Sequence, residues 1–264
     1  MKKWKKKRHK RGLVLVARTH RLLLDAIGND LERHRCLKEA EAMVSDDPFS
    51  AHLALGALAA LDENLDGVVN HHSEACRLQP ARARPYLKQA RCLARMGHLT
   101  ESRASAMNAW KMRPDNAKAM EWIILTSAAL GELLEAGRWY GEWLGRFTES
   151  KSIHPRFMES VSPWMKQRGI TDIMLTTLVA TVLAEIHKQE IFKLRLSITF
   201  RDEGEGQLLY HWSIPAHRAD PAALTERVER LIAMRDPAGS GQGWLRMVIR
   251  EWSSQDKSVS GIHL

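Results

Sequence analysis

The chain repeats itself with a period of about 34 residues. The segment GHLTESRASAMNAWKMRPDN begins at Gly97, and its spacing of small and apolar residues recurs one period earlier and one period later. A period of this length is typical of stacked helix–turn–helix units, each too small to bury its apolar face alone. The aligned residues are Leu65, Leu99 and Leu133; Val68, Ser102 and Ala136; and Pro80 and Pro114.

Each period is predicted to contain two short antiparallel helices joined by a turn. Gly97 and Gly131 fall where the chain reverses between the paired helices. Pro80 and Pro114 separate one pair from the next, because proline cannot continue a helix. The first helix of each pair has apolar residues at helical spacing. The predicted units cover 49–82, 83–116 and 117–148, and a weaker unit covers 17–48.

These units resemble the tetratricopeptide repeat (TPR) family over about residues 17–148, a little over half of the chain. Leu55-Gly56 stands where the family usually has a large residue followed by a small one, whereas Trp143 replaces a usual small residue. The resemblance implies an α-helical solenoid of stacked pairs. Such a stack has a concave groove that binds peptides or protein segments, lined by the first helix of each pair.

The groove positions implied by that resemblance include a basic stripe. Arg84, Arg91 and Arg95 recur at spacings of 7 and 4, so they can share one face of a helix. Guanidinium groups hold carboxylates with two hydrogen bonds, so we expect an acidic segment or a free carboxyl terminus as partner; the alternative is a solvated face. The groove candidates are Leu53, Ala57, Arg84, Leu87, Arg91, Arg95, Lys118, Glu121 and Leu125.

The basic charge is concentrated at the amino terminus. Lys and Arg number 40 against 31 Asp and Glu, a net charge of +9, and ten of the bases lie within residues 1–21, where there is no acid. We expect residues 1–16 to form a disordered tail, either a solvated leader or an arm that binds nucleic acid or an anionic membrane surface. The candidate polyanion-binding residues are Lys2, Lys3, Lys5, Lys6, Lys7, Arg8, Lys10 and Arg11.

Composition and segment lengths favour a cytoplasmic protein. Three cysteines, an odd number, argue against a disulfide framework and for a reducing compartment. The apolar stretch at 12–17 is shorter than the ~7–15 residues of a signal peptide's apolar region. No apolar run approaches the ~18 residues that would predict a transmembrane segment.

The apolar period switches from helical to alternating near residue 190. A strong helix over 170–189 is followed by an alternating strand over 191–201 and a returning strand of a hairpin. Asp220-Pro221 is typical of a helix start, here opening a helix over 221–235. A strand at 244–252 completes the order α-β-β-α-β, which predicts a small α+β domain with an antiparallel sheet.

We therefore divide the chain into a basic tail (1–16), TPR-like helical repeats (17–165) and an α+β module (166–264). On the module, alternation places a group of bases on the outer strand face, where they could contact a polyanion. Those residues are Lys193, Arg195, Arg201, Arg246 and Arg250.

Other residue groups give weaker signals. Trp139 and Trp143 lie one helical turn apart and share a face; they are either packing between domains or an exposed aromatic ligand surface. His72 and Cys76 could begin a metal site, but no second pair at zinc spacing follows. Nothing assembles a recognisable active site, and we expect no catalytic residue, metal or cofactor.

Three functions follow in decreasing order of support. The first is a non-catalytic protein–protein interaction scaffold or adaptor that binds a peptide or protein segment in the repeat groove. The second is a nucleic-acid-associated protein that uses the basic tail and the basic strand face. The third is an enzyme or ligand-binding regulatory domain at 190–252.

Overall fold

A computed structural model describes residues 2–23, 30–147, 155–191, 195–201, 206–215, 219–235, 243–251 and 262–263; residues 2–9, 155–156, 235 and 262–263 are described by their backbone alone. Over these residues the chain is mostly helical, with a small sheet near the carboxyl terminus. Contacts divide it into two compact units, 1–119 and 120–264.

The helices of the first unit come in successive pairs. The predicted units 49–82 and 83–116 each hold two of them, whereas the first pair begins at Lys2, before the predicted unit 17–48. Short connections of a few residues join the two members of the second and third pairs, as predicted from the spacing of the repeat. Their bounds are α1 Lys2–Leu22, α2 Asp30–Met43, α3 Pro48–Leu61, α4 Leu65–Leu78, α5 Arg84–Arg95 and α6 Leu99–Met112, and α7 Ala117–Ala129 begins at the end of the unit.

Each pair packs on the one before it in the same way. Helix α3 contacts its own partner α4 and both helices of the preceding pair, and α5 contacts α6, α4 and α3. The core between the first two pairs is formed by Leu15 and Val16 of α1, Cys36 of α2, and Phe49 and Leu53 of α3. Burial of one such large side chain stabilises the fold by about 1.5–3 kcal/mol.

The turns inside the second, third and fourth pairs each place one residue in the left-handed region of backbone space. Glu63, Gly97 and Gly131 occupy the same place in successive periods, with φ of 58°, 76° and 88°. The amide after each of them donates to a main-chain oxygen five residues earlier, as from His98 to Leu93. Glycine adopts this conformation at little cost, which explains two of the three turns.

The amino-terminal segment is helical, so the expectation of a disordered tail over 1–16 is corrected. Helix α1 packs closely on the start of α3: a Cβ on Gly12 would lie 2.6 Å from the Cβ of Ser50. Beyond Gly12, Leu15, Val16 and Thr19 are buried. Lysine and arginine are good helix formers, and a packed segment removes the cost of nucleation, so the helix extends into the basic leader.

The second unit contains three more helices before its strands. Helix α8 donates the main-chain amides of Leu134 and Glu135 to the carboxylate of Asp172, the first residue of α10, at 2.8 and 3.0 Å. The elements are α8 Leu133–Arg146, α9 Pro155–Gln167, α10 Asp172–His187, β1 Arg195–Arg201, β2 Gln207–Ile214, α11 Pro221–Arg235, β3 Leu245–Glu251 and β4 Ile262–His263.

The sheet has the order β3-β2-β1-β4. Strands β1 and β2 form the predicted antiparallel hairpin, with Ile198 opposite Tyr210. Strand β3, however, runs parallel to β2, so the expected antiparallel sheet is corrected to a mixed one. The reason is the helix between them: a strand–helix–strand crossover returns the chain in the direction in which it left.

Both faces of the central strands are covered. Ile198, Tyr210 and Trp212 are buried on one face, and Ser197 and Thr199 on the opposite face are only 8% and 7% exposed, so the alternating pattern of β1 does not leave one of its faces exposed. Helix α11 closes the free edge of β3, because the Thr225 hydroxyl accepts a hydrogen bond from the main-chain amide of Ile249 at 3.0 Å.

Helix length and apolar composition can be compared with those of a membrane span. In the described ranges, no single helix is long and apolar enough to cross a bilayer. Helices α9 and α10 meet the length and composition criteria only together, and they bend by 112° at the break between them.

Candidate cationic groove

Three basic side chains of α5 form one stripe along the helix. Arg84, Lys88 and Arg91 are separated by one helical turn each, so they point to the same side. All three are half-buried. We call these three residues the cationic stripe.

The cationic stripe lacks acidic partners. Within the described part of the chain, none of its three side chains makes a hydrogen bond or ion pair with another residue. Burial, together with the neighbouring arginines, lowers the pKa of Lys88 to about 8. Burial also lowers the pKa of Arg91 and of Arg84, and only at Arg84 does a carboxylate, that of Asp47, act in the opposite direction.

A buried histidine of α1 lies within the field of the same stripe. His20 is 2% exposed, and neither of its ring nitrogens has a hydrogen-bond partner among the described residues. Burial lowers the pKa of His20 well below its usual value, and the positive charges of Lys88, then Arg91 and Arg84, lower it further. These groups therefore form one electrostatic cluster.

The repeat explains how residues from α1 and α5 share a site. His20, Ala54 and Lys88 are equivalent positions of successive periods, and the helix of Ala54, α3, packs against both α1 and α5. At this position the middle helix has a small buried residue, Ala54. We call the cationic stripe, together with the buried His20 beside it, the cationic groove.

His72 borders the groove from α4 but is held in the interior. Its ring covers Gly56 of α3, and its Nδ1 lies 2.8 Å from the main-chain oxygen of Val68. Complete burial lowers the pKa of His72 to about 4. Cys76 interacts with Tyr86 instead of sharing a site with His72, and the described residues include no group of three His, Cys, Asp or Glu side chains that could hold a metal.

Several groove candidates from the sequence lie elsewhere. Leu53 and Ala57 are core residues, and Leu87 packs beside a cluster of alanines, because the apolar faces of these helices meet neighbouring helices. Arg95 is half-buried at the end of α5, and Lys118 is exposed at the start of α7. The remaining two belong to the second unit, where Glu121 is buried and Leu125 half-buried.

Sequence reasoning missed Lys88 and His20, although a signal for both was present. Lys88 completes the stripe that Arg84, Arg91 and Arg95 outline, since it falls one turn after the first of them. Two periods before Lys88 lies His20. The side chains that face a common groove occur at equivalent positions, so the repeat could have located both.

The aromatic surface proposed for Trp139 and Trp143 is corrected. These side chains are 9% and 2% exposed, and Trp139 donates its Nε1 hydrogen to Glu135 at 2.9 Å. Trp143 stacks on Tyr140 with ring centroids 6.1 Å apart. The pair packs inside the second unit, because one helical face of α8 is its buried face.

The other basic candidates are distributed as follows. Lys10 and Arg11 are exposed, although Arg11 contacts Glu39 at 3.2 Å; the side chains of the candidates from Lys2 to Arg8 are outside the described part of the chain, as is Lys193. The register of the sheet places the remaining strand bases on one face. Those residues are Arg195, Arg201, Arg246 and Arg250.

Comparison with models of known protein families found no match to this chain, and comparison with curated proteins found none. The fold defines the class: a mostly helical protein with successive helix pairs and a small mixed sheet. Within that class, the feature that points to a ligand is the cationic groove of the first unit.

Proposed function

We propose that this protein is a non-catalytic scaffold or adaptor whose TPR-like repeats bind an acidic peptide or protein segment in the cationic groove. The observation that carries the proposal is the cationic stripe itself: Arg84, Lys88 and Arg91 are half-buried without an acidic partner in the described ranges. Three half-buried like charges raise the free energy of the folded protein when no ligand is bound. An anionic ligand would offset that cost by pairing with them.

The physical argument rests on desolvation and repulsion. A charge that is partly removed from water without a partner raises the free energy of the folded state, and three like charges on one helix face repel one another. A carboxylate placed among them gains charge-assisted hydrogen bonds worth on the order of 1.5–3 kcal/mol each. Selection for stability alone would remove this stripe, so its presence supports a binding role.

The test is the binding of a short oligo-aspartate peptide, with fluorescence anisotropy as the readout. The double variant Lys88→Gln plus Arg91→Gln should bind it at least about tenfold more weakly, the loss expected when one charge-assisted hydrogen bond is removed. A matched control is Arg35→Gln plus Lys38→Gln, which removes the same charges from exposed positions of α2 in the same unit. The control should bind within a factor of about two of the parent.

A second measurement separates binding from structure. Because the double variant relieves repulsion and desolvation, its thermal midpoint should be equal to or above that of the parent. If the midpoint falls and binding is lost together, the stripe is structural. If both double variants bind as the parent does, the groove assignment is wrong.

A carboxyl-terminal ligand and an internal acidic segment differ in one group. An oligo-aspartate with an amidated carboxyl terminus should bind as well as the free acid if the groove binds the side-chain carboxylates. It should bind several-fold more weakly if the groove binds the terminal carboxylate, since that group is then missing.

A second candidate function has its own observation. The register of the mixed sheet places Arg195, Arg201, Arg246 and Arg250 on one face, and the basic leader continues as a helix. This placement supports association with nucleic acid through phosphate contacts. Replacement of Arg201 and Arg246 by glutamine should then flatten the dependence of log K on log salt by about 0.9 for each phosphate of duplex DNA that the variant no longer neutralises. An unchanged slope would reject this face.

A further inference from the structure

His20, which lies beside the cationic stripe, has unused hydrogen-bonding capacity. A neutral imidazole carries one N–H donor and one acceptor nitrogen, and both ring nitrogens of His20 are buried without partners in the described ranges. Buried polar atoms are normally paired, so an unpaired ring at the edge of a charged surface indicates a missing ligand.

Among the described residues, the groups that act on the charge of His20 are positive or neutral. From α5 they are Arg84, Lys88 and Arg91, and from α4 the neutral imidazole of His72. Helix α3, which packs against both α1 and α5, has the uncharged Ala54 at the equivalent position of its repeat. On its other flank, α1 meets the acids of α2, Glu32 and Glu39, but these are already paired with Arg18 at 2.6 and 2.7 Å.

This arrangement keeps His20 unprotonated in the free protein, because an imidazolium there would be buried beside three cations. An anion bound to the stripe makes protonation of His20 more favourable. It compensates the charge of Lys88 and Arg91, and it can accept a hydrogen bond from the ring.

We propose that His20 takes up one proton from solvent when the groove takes up an anionic group, so that acidic ligands bind more tightly as the pH falls below neutrality. The inference rests on the proposed function, because both place the ligand beside the cationic stripe. It adds a regulatory property, which is a response of that binding to pH.

The sign and the pH window follow from the two groups. The pKa of His20 is lowered in the free protein and a bound anion raises it, so affinity should rise by up to tenfold per pH unit as the pH falls through the pKa that His20 has in the complex. Lys88 has a pKa of about 8 when free. Above that pH it loses its charge, so affinity should fall again as the pH rises through 8 to 9 or so. The profile therefore has two limbs.

The probe is an oligopeptide of cysteic acid, because its sulfonates do not titrate in this range. Affinity is measured for the full chain by isothermal titration calorimetry between about pH 5 and 9, in two cationic buffers with different ionisation enthalpies, which counts the protons taken up. His20→Gln should abolish the acid limb and keep the limb near pH 8. The matched control, His34→Gln on the exposed surface of α2, should keep both limbs.

A direct readout on the parent protein makes the test independent of how well His20→Gln folds. The assigned ring Cε1–H resonance of His20 should titrate at a higher pH when the groove is saturated with the probe. Strong binding with no proton uptake would overturn this inference and leave the proposed function standing. No binding to the parent would overturn both. An acid limb that survives in His20→Gln would assign the proton to another group, such as His72.

Discussion

The contact between Gly56 and His72 gives the sharpest stability prediction. A Cβ on Gly56 would lie 2.6 Å from Nδ1 of His72, closer than real Cβ contacts. The ring cannot move away freely, because it is fully buried and bonded to the main-chain oxygen of Val68. The change Gly56→Ala must therefore displace α4 from α3 or force the ring out of its position.

Two effects of known size oppose each other in this variant. Overpacking a core by one methyl group costs about 1–3 kcal/mol. Replacing a glycine inside a helix by alanine stabilises by roughly 0.5–1 kcal/mol. The net change for Gly56→Ala should therefore be a destabilisation of about 0–2.5 kcal/mol when His72 is present.

The sign should reverse when the ring is absent. In a His72→Ala background the clash disappears, the helix preference remains, and the new methyl fills part of the cavity left by the ring. Gly56→Ala should then stabilise by up to about 1 kcal/mol, which gives a coupling energy of about 1–3 kcal/mol in the double-mutant cycle.

The assay is urea unfolding followed by far-UV circular dichroism on all four members of the cycle. Gly141→Ala provides a matched control, because Gly141 is also inside a helix but a Cβ there meets nothing within 4 Å. It should stabilise by roughly 0.5–1 kcal/mol, the helix preference alone. If Gly56→Ala has the same effect with and without His72, the close approach is not what makes glycine necessary at this position.

Three further predictions concern single groups. Glu63→Gly should stabilise by about 1 kcal/mol in urea unfolding, because φ of 58° strains any residue with a Cβ. Lys188 and then Arg227 hold the pKa of Glu185 below its usual value, so its stabilisation is present above the unfolded pKa and lost as the pH falls through the folded one. Between about pH 6 and 3, the thermal midpoint of the variant Arg227→Gln should therefore decrease less than that of the parent. Tyr210→Phe should cost about 0.5–1.5 kcal/mol in thermal unfolding, because its buried hydroxyl donates to a main-chain oxygen of α7 at 2.9 Å.

The repeat period predicted the helices well because helix pairs are specified locally. Turn glycines, prolines between pairs and an apolar face at helical spacing all act within a few residues, so Gly97 and Pro114 could be interpreted without the rest of the chain. The direction of β3 was not predictable in this way. It depends on how the chain returns after α11, and a strand pattern is the same whether its neighbour runs parallel or antiparallel.

The groove was predictable only in part. The spacing of Arg84 and Arg91 indicated a shared face, and the structure places both on one stripe. Burial was not visible in the sequence: Trp143 could have been exposed, and His20 lay at the start of the weaker predicted unit, 17–48. Burial depends on which helix packs over a residue, and composition alone does not contain that information.

The position of the cationic stripe on α5 instead of α3 has a physical reason. Helix α3 packs against α1, α2, α4 and α5, so its faces are used by the core and its groove positions are small, as at Ala54. Long cationic side chains there would need the space that these contacts occupy. On α5, the charge of Lys88 acts on His20 of α1, which lies two periods earlier. Ala54 itself is a core residue that packs with Leu15 and Leu53, so a bulky substitution such as Ala54→Leu should overpack the core and cost about 1–3 kcal/mol in urea unfolding.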